Sequence, residues 1–369
     1  MPEQESPFKE QERELPSQEQ REQVFRNITL PMVFPELTGW DLKLTALFLQ
    51  KFRSELQNLG IPDVQMEYVL GNRLLKREES LDDLEKYLKG YVRAVHCAIP
   101  RAEMEPTLAS KLKHNLTSPH TLFFPSWGAQ GTLTNKGRLG AGLEAAQRMG
   151  AYIIVVHAAE FAHPLKDEKN PEEHVHALID ALSDARGKIA PEVTVSVETQ
   201  GSEIAHFPRE KFKFVYNPSN LAELLGDAQK QNIGLTFDFQ HCRIQGLDPA
   251  RVLMQIHEQY PGLVQHAHIN APSPHFEDAH QSFAETADPE LKHQLQQFLF
   301  ALADTDFNGG LVPEVDPHGT VATHIRNLVR RKIIYPARGT PYDVRTHGFE
   351  EERQYLQDII VEIHSLLEL

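Results

Sequence analysis

IGLTFDFQHC (residues 233–242) is an apolar run of β type that ends in a carboxylate and an imidazole. A charged group in such a run is costly to bury unless it is paired or bound to a metal ion. The same construction recurs in YIIVVHAAE (152–160), VTVSVETQG (193–201), LVQHAHIN (263–270) and GLVPEVDP (310–317). Helix-like stretches separate the five runs, which indicates one shared site at the ends of five strands.

Strand-like and helix-like patterns alternate along the whole chain. The predicted strands are 27–34, 64–70, 91–99, 152–157, 193–198, 233–238, 263–269 and 310–315. The predicted helices are 41–59, 80–89, 137–149, 172–187, 218–231, 248–259, 288–304 and 319–332. Such alternation predicts a parallel sheet with helices outside it, and eight units predict an α/β fold of the (β/α)8 TIM-barrel type. An open doubly wound sheet is the alternative, although no GxGxxG motif follows the first strand.

Two segments flank the predicted barrel domain, which spans residues 25–335. Residues 1–24 are rich in Glu, Gln, Arg and Lys, which predicts a disordered or loosely helical tail. Residues 336–369 form a C-terminal extension with a helix at 349–368. The apolar stripe of this helix is expected to pack outside the barrel or to form an oligomer contact, so a homodimer is one interpretation.

The composition disfavours nucleic-acid-binding, membrane and disulfide-rich secreted proteins. The 369 residues carry a formal net charge of −15, which disfavours a general nucleic-acid binder because such proteins neutralise phosphates. We find no run of 18 apolar residues and no signal-peptide pattern, so no membrane partner is expected. Cys97 and Cys242 are too few for a disulfide framework and predict a reducing, cytoplasmic location.

The strand endings supply the candidate ligands. Because TIM-barrel active sites lie at the carboxyl ends of the strands, Glu198, Asp238, His268 and Glu314 are predicted to converge on a metal ion. His241 is a further ligand or substrate contact. Residues three apart face opposite sides of a strand, so Asp238 and His241 converge only if the strand ends at Asp238 and the chain turns.

Other histidines and acids extend this set. His96 and His157 end the third and fourth strands and are either structural or in contact with metal or substrate. The loop triplet Asp278-Ala279-His280 is close enough in sequence to the seventh strand to return to the site. His266 faces the same side as His268, one layer deeper, and is predicted to support a ligand by hydrogen bonding.

Asp316 is either a similar supporting group for Glu314 or a solvated acid. Together the carboxylates and imidazoles suit Zn²⁺, Mn²⁺, Co²⁺ or Fe²⁺ better than Ca²⁺ or Mg²⁺. Between one and three ions are expected.

These residues resemble the xylose isomerase-like TIM-barrel superfamily, which includes the endonuclease IV family. The resemblance runs from about residue 92 to residue 316 and implies a divalent metal held by Glu198, Asp238, His268 and Glu314. DFQHCRIQG is similar to the D-x-C-H-x-x-x-x-G segment of endonuclease IV, and HIN to its H-L-N. That likeness implies a three-zinc cluster completed by His96, His157, His241, Asp278 and His280. Ala271 stands where that family has an Asp.

Two enzymatic functions are consistent with the resemblance. The favoured one is a metal-dependent sugar or sugar-phosphate isomerase or epimerase, in which Glu198 and Glu314 transfer a proton beside a metal-polarised carbonyl. His157 and His241 would position hydroxyl groups of the small-molecule substrate. The alternative is an endonuclease IV-like zinc phosphoesterase, an AP endonuclease, with a di- or trinuclear site. A third, non-enzymatic alternative is a barrel that keeps a metal for structure or serves as a partner-binding scaffold.

Overall fold

A computed structural model of the protein describes residues 15–31, 42–69, 80–97, 135–158, 171–201, 209–272, 282–284, 286, 288–314 and 347–369. Within them, seven parallel strands form one sheet in chain order. The strands are β1 Met66–Val69, β2 Val92–His96, β3 Ile153–His157, β4 Thr194–Glu198, β5 Ile233–Asp238, β6 Val264–Ile269 and β7 Gly310–Pro313. Each lies within a strand predicted from the sequence.

Residues 27–31 close this sheet into a barrel. Ile28 forms a parallel bridge to Leu311 of β7, and Leu30 forms one to Met66 of β1. The segment therefore lies between the first and last strands, where the first predicted strand belongs. This arrangement confirms the (β/α)8 fold class.

Helices alternate with the strands. They are α1 Gln18–Arg26, α2 Leu42–Asn58, α3 Leu81–Leu88, α4 Asn135–Met149, α5 Pro171–Ile189, α6 Lys213–Tyr216, α7 Pro218–Leu225, α8 Phe239–Ile244, α9 Pro249–Gln259, α10 Pro289–Asp304 and α11 His347–Leu366. The predicted helix 218–231 divides into α7 and a 3-10 helix at Gly226–Gln231. The predicted helix 319–332 lies outside the described residues. None of the described helices is long and apolar enough to cross a membrane.

Part of the predicted disordered or loosely helical tail is the capped helix α1. The Ser17 hydroxyl accepts a hydrogen bond from the Gln20 amide, and the Gln20 side chain accepts one from the Ser17 amide. This reciprocal cap satisfies two amides at the helix start. Val24 and Phe25 are buried, and α1 packs against α10. Long-range packing thus orders a segment whose own composition favours disorder, while residues 1–14 lie outside the described residues.

The apolar stripe of α11 is covered by the chain itself. Leu356, Ile359, Ile360 and Ile363 are at most 2% exposed. The helix packs against α10, where Lys292 Nζ lies 2.7 Å from Glu362 Oε1. Of the two expected roles of this stripe, the structure shows packing on the outside of the barrel. The stripe therefore gives no support to a homodimer.

Candidate metal centre

The carboxyl ends of the strands bring most of the predicted site residues together. In the sheet register, His157 of β3 lies beside Glu198 of β4, and Asp238 of β5 lies beside His268 of β6. Glu314 directly follows β7. Glu198, Asp238 and His268 are completely buried, whereas the side chains of His157 and Glu314 are 23% and 21% exposed. Solvent therefore reaches the cluster on the side of His157 and Glu314.

A change from strand to helix brings Asp238 and His241 to the same place. β5 ends at Asp238, which is the N-cap of α8, and its Oδ1 accepts a hydrogen bond of 2.5 Å from the His241 amide. Asn270 Nδ2 donates to Asp238 Oδ2 over 3.3 Å. The His241 ring lies with Nδ1 3.4 Å from Glu198 Oε1. The turn that the D-x-x-H spacing requires is therefore present.

Four residues from four strand ends form a first ligand group. One ligand atom each from Glu198, Asp238, His268 and Glu314 lies within 4.8 Å of all the others. His268 Nδ1 is 3.2 Å from Glu198 Oε1 and 3.2 Å from Glu314 Oε2. Ligand atoms about 2.0–2.2 Å from a zinc ion are roughly 3–3.5 Å apart. This four-residue group could therefore hold a divalent metal.

His96, His157 and Glu198 form a second group, the three-residue group. The Nε2 atoms of His96 and His157 are 3.0 Å apart, and both lie within 3.5 Å of Glu198 Oε2. Among the described residues, the buried Oε2 of Glu198 has no hydrogen-bond partner. An unsatisfied carboxylate oxygen is costly to bury. A cation between these three atoms would remove that cost, so the residues fit a metal ion.

Glu67 of β1 is a site residue that the sequence analysis did not identify. It is buried, and its Oε1 lies 3.2 Å from His96 Nδ1. Its Oε2 lies 2.7 Å from His266 Nε2 and 3.1 Å from His268 Nε2. The signal was present in VQMEYVL (64–70), where one carboxylate stands in an apolar run. Burying the charge of Glu67 without a partner would be as costly as burying that of Glu198.

The buried carboxylates differ in the direction in which their pKa values are shifted. Burial raises the pKa of Glu67 and of Glu198, but the charge of His268 and hydrogen bonds from neighbouring histidines hold both pKa values well below the ordinary range. Burial raises the pKa of Asp238 to about 6, because the attraction of His241 does not offset it. Glu67 and Glu198 are thus anions near neutral pH, while Asp238 still binds a proton in mild acid.

The two deep histidines also differ. Burial lowers the pKa of His266, because the nearby Glu67 compensates only in part. Burial also acts to lower the pKa of His268, but Glu67, Glu198 and Glu314 outweigh it and hold that pKa well above its usual value. His268 therefore carries a proton among three carboxylates, and a metal at its Nδ1 would displace that proton.

Some predicted site residues are not in these groups. His266 hydrogen-bonds Glu67 and lies outside both ligand groups, in the deeper layer where the sequence places it. Asp278, His280 and Asp316 lie outside the described residues. Neither cysteine forms a disulfide bond, both are buried, and burial raises the pKa of Cys242, in line with packing rather than ligand roles.

Comparison with known proteins identifies a family and several solved structures that are similar to this chain. A family model described as xylose isomerase-like TIM barrel matches residues 108–332. No curated protein matches the chain. D-psicose 3-epimerase from Clostridium cellulolyticum H10 is 14% identical, with 91% of this chain and 99% of that chain covered and a TM-score of 0.47.

Two further solved structures are similar to this chain at the same level. An AP endonuclease of family 2 from Brucella melitensis is 14% identical, with 85% and 99% covered and a TM-score of 0.45. A 3-keto-D-glucoside 4-epimerase from E. coli is 15% identical, with 83% and 99% covered and a TM-score of 0.46. Likenesses at this identity say nothing about the reaction of this chain.

Proposed function

This chain belongs to the xylose isomerase-like TIM-barrel family, and on that premise we propose that it is a zinc-dependent phosphoesterase with at least two ions per chain. The observation that carries the proposal is that Glu198 belongs to both ligand groups. The mixed imidazole and carboxylate ligands favour zinc over magnesium or calcium. The family membership supports an enzyme, and the residues of the site favour this reaction.

The two oxygens of Glu198 face different groups. Oε1 lies 3.2 Å from His268 Nδ1, and Oε2 lies 3.3 Å from His157 Nε2. A carboxylate shared in this way could contribute a ligand to each of two ions, as two-metal hydrolytic sites require. An isomerase with one ion needs only the four-residue group, and it would give His96 and His157 no ligand role.

The residues of the chain have distinct roles in this proposal. Bound at the two groups, zinc would lower the pKa of water and neutralise charge on phosphoester oxygens. The His241 amide and Asn270 hold Asp238 in its orientation. His241 Nδ1 lies 2.9 Å from the Thr199 carbonyl oxygen. If Nδ1 donates to that carbonyl, His241 Nε2 keeps its lone pair for a further ion or for the substrate.

A metal-dependent sugar or sugar-phosphate isomerase or epimerase is the second candidate. Glu198 and Glu314 come from different strands of the four-residue group and would serve as base and acid. The net charge of −15 favours a small substrate over DNA. One ion in the four-residue group would suffice for this reaction.

The number of bound ions separates the two candidates. We expect elemental analysis of the purified full chain, after zinc saturation and desalting, to find two or three zinc ions per chain. The same preparation should cleave DNA at an abasic site or hydrolyse a simple phosphodiester, and the matched Glu198→Gln variant should not. One ion per chain, together with ketose epimerisation and no phosphoester cleavage, would contradict the phosphoesterase and support the isomerase.

A further inference from the structure

Glu67 lies outside the two ligand groups described above, and with His96 and His268 it forms a third set whose ligand atoms lie within 4.8 Å of one another. Its single carboxylate faces three imidazoles, one from β2 and two from β6. The ring of His266 fits beside it because β7 has a glycine at the nearest position. A Cβ on Gly310 would lie 2.6 Å from His266 Cε1. The backbone of β7 thus leaves room for this deep layer, which lies on the inner side of both ligand groups.

The contacts of Glu67 determine which ring nitrogens carry protons. An ionised carboxylate can only accept hydrogen bonds. His96 must therefore donate from Nδ1 to Oε1, over 3.2 Å. His268 must donate from Nε2 to Oε2, over 3.1 Å. In a neutral imidazole the remaining nitrogen carries the lone pair, so His96 presents Nε2 and His268 presents Nδ1.

These lone pairs belong to the two ligand groups. His96 Nε2 lies 3.0 Å from His157 Nε2 and 3.5 Å from Glu198 Oε2 in the three-residue group. His268 Nδ1 lies 3.2 Å from Glu198 Oε1 in the four-residue group. The Glu67 carboxylate thereby orients one histidine of each group. It accepts from Nδ1 of His96 and from Nε2 of His268.

We propose that Glu67 is a positioning residue that sets the metal-binding nitrogen of His96 and of His268, and so couples the two ligand groups. The inference rests on the proposed metal centre. A metal-binding histidine ordinarily donates its other N–H to a carboxylate or carbonyl, which fixes the tautomer and the ring orientation. His266 holds the shared carboxylate in place through its 2.7 Å hydrogen bond to Oε2.

Glu67→Gln is the sharpest variant, because it keeps the shape of the side chain and replaces one acceptor by an amide donor. That donor favours the opposite tautomer in the histidine that it faces. We expect zinc affinity, measured by competition with a chromophoric chelator, to fall about 10–100-fold. Thr236→Val is the matched control, since Thr236 is buried in the barrel and donates to the Ser196 hydroxyl over 2.6 Å. It should change zinc affinity less than about threefold.

A spectroscopic measurement on the unaltered protein does not require the Glu67→Gln variant to fold. Long-range ¹H–¹⁵N spectra of the zinc-loaded, ¹⁵N-histidine-labelled chain should show His96 protonated at Nδ1 and His268 protonated at Nε2. Signals are assigned by their loss in His96→Gln and His268→Gln. The opposite tautomers would overturn the role of Glu67.

The outcomes separate this inference from the proposed function. Equal zinc affinity in the wild type and in a folded Glu67→Gln variant would overturn only the role of Glu67. An equal loss of affinity in Thr236→Val would also overturn it, because any disturbance of the barrel interior would then suffice. A wild-type chain that binds no zinc would overturn the metal centre itself.

Discussion

The polar groups at the two ends of the barrel find partners in different ways. At the amino ends of the strands, Arg93 Nε donates to the Tyr152 hydroxyl over 2.6 Å, and Arg93 Nη2 donates to the Asn308 carbonyl over 2.8 Å. At the carboxyl ends, Glu198 Oε2 has no hydrogen-bond partner among the described residues. The described residues supply their own donors at the first end, whereas a cation could satisfy the open carboxylate oxygen at the second end. We therefore expect the amino end to contribute stability and the carboxyl end to bind a metal ion.

Glu198→Gln should have the largest effect, and the effect should be confined to the carboxyl end. The substitution removes a charge shared by both ligand groups. Loss of a supporting residue alone costs 10–100-fold in affinity, so a shared ligand should cost more than about 100-fold for each of two ions. The combined loss is at least about 10⁴-fold, which corresponds to roughly 5.5 kcal/mol or more. Isothermal titration with Zn²⁺ measures it, and an unchanged affinity would remove Glu198 from the site.

Phe25→Ala tests the other end of the barrel. Phe25 of α1 is 4% exposed, and its ring meets the His364 ring edge-on at 5.0 Å. Removing a buried phenylalanine side chain typically costs about 3–5 kcal/mol. We expect a loss of this order in the unfolding free energy from urea denaturation, with unchanged zinc affinity. Leu15→Ala is the control, because Leu15 is 59% exposed and should change stability by less than about 0.5 kcal/mol.

Zinc binding at the carboxyl end of the barrel should depend on pH. The pKa of Asp238 is raised to about 6, and only its ionised form binds metal. The ionised fraction then increases about tenfold between pH 5 and pH 7, which corresponds to about 1.4 kcal/mol. The raised pKa of His268 acts in the same direction, because a proton must leave its ring. Zinc affinity should therefore rise at least about tenfold over this range, and a flat profile would contradict the assignment.

Ser17→Ala should have the smallest effect of the four. The Ser17 side chain caps α1 by accepting a hydrogen bond from the Gln20 amide. Loss of such a cap costs about 1 kcal/mol. Urea denaturation should detect this loss, while the zinc stoichiometry stays at the wild-type value. Any loss of bound zinc would show that the two ends of the barrel are coupled.

Much of the fold was predictable from local patterns. All seven described strands and the closing segment fall within predicted strands, because period and turn residues act over short distances. The end of β5 at Asp238 was also predicted, and the turn there meets the condition under which Asp238 and His241 converge. By contrast, residues 1–24 were expected to be disordered or loosely helical. The order of α1 depends on packing against α10, which the local composition does not reveal. The site roles of Asp278, His280 and Asp316 stay predictions, as does the division of the chain into tail, barrel and extension.

The sequence by itself determined the fold class and the types of side chain that are candidate metal ligands. The spacing of hydrophobic residues and the cost of burying a charge can both be judged from short stretches of sequence. Only the tertiary structure decided that Glu198 belongs to two ligand groups and that Glu67 joins the site. Glu67 lies 29 residues from His96 and 201 from His268 along the chain. Their contacts depend on strand register and barrel closure, which place side chains from distant segments within hydrogen-bonding distance.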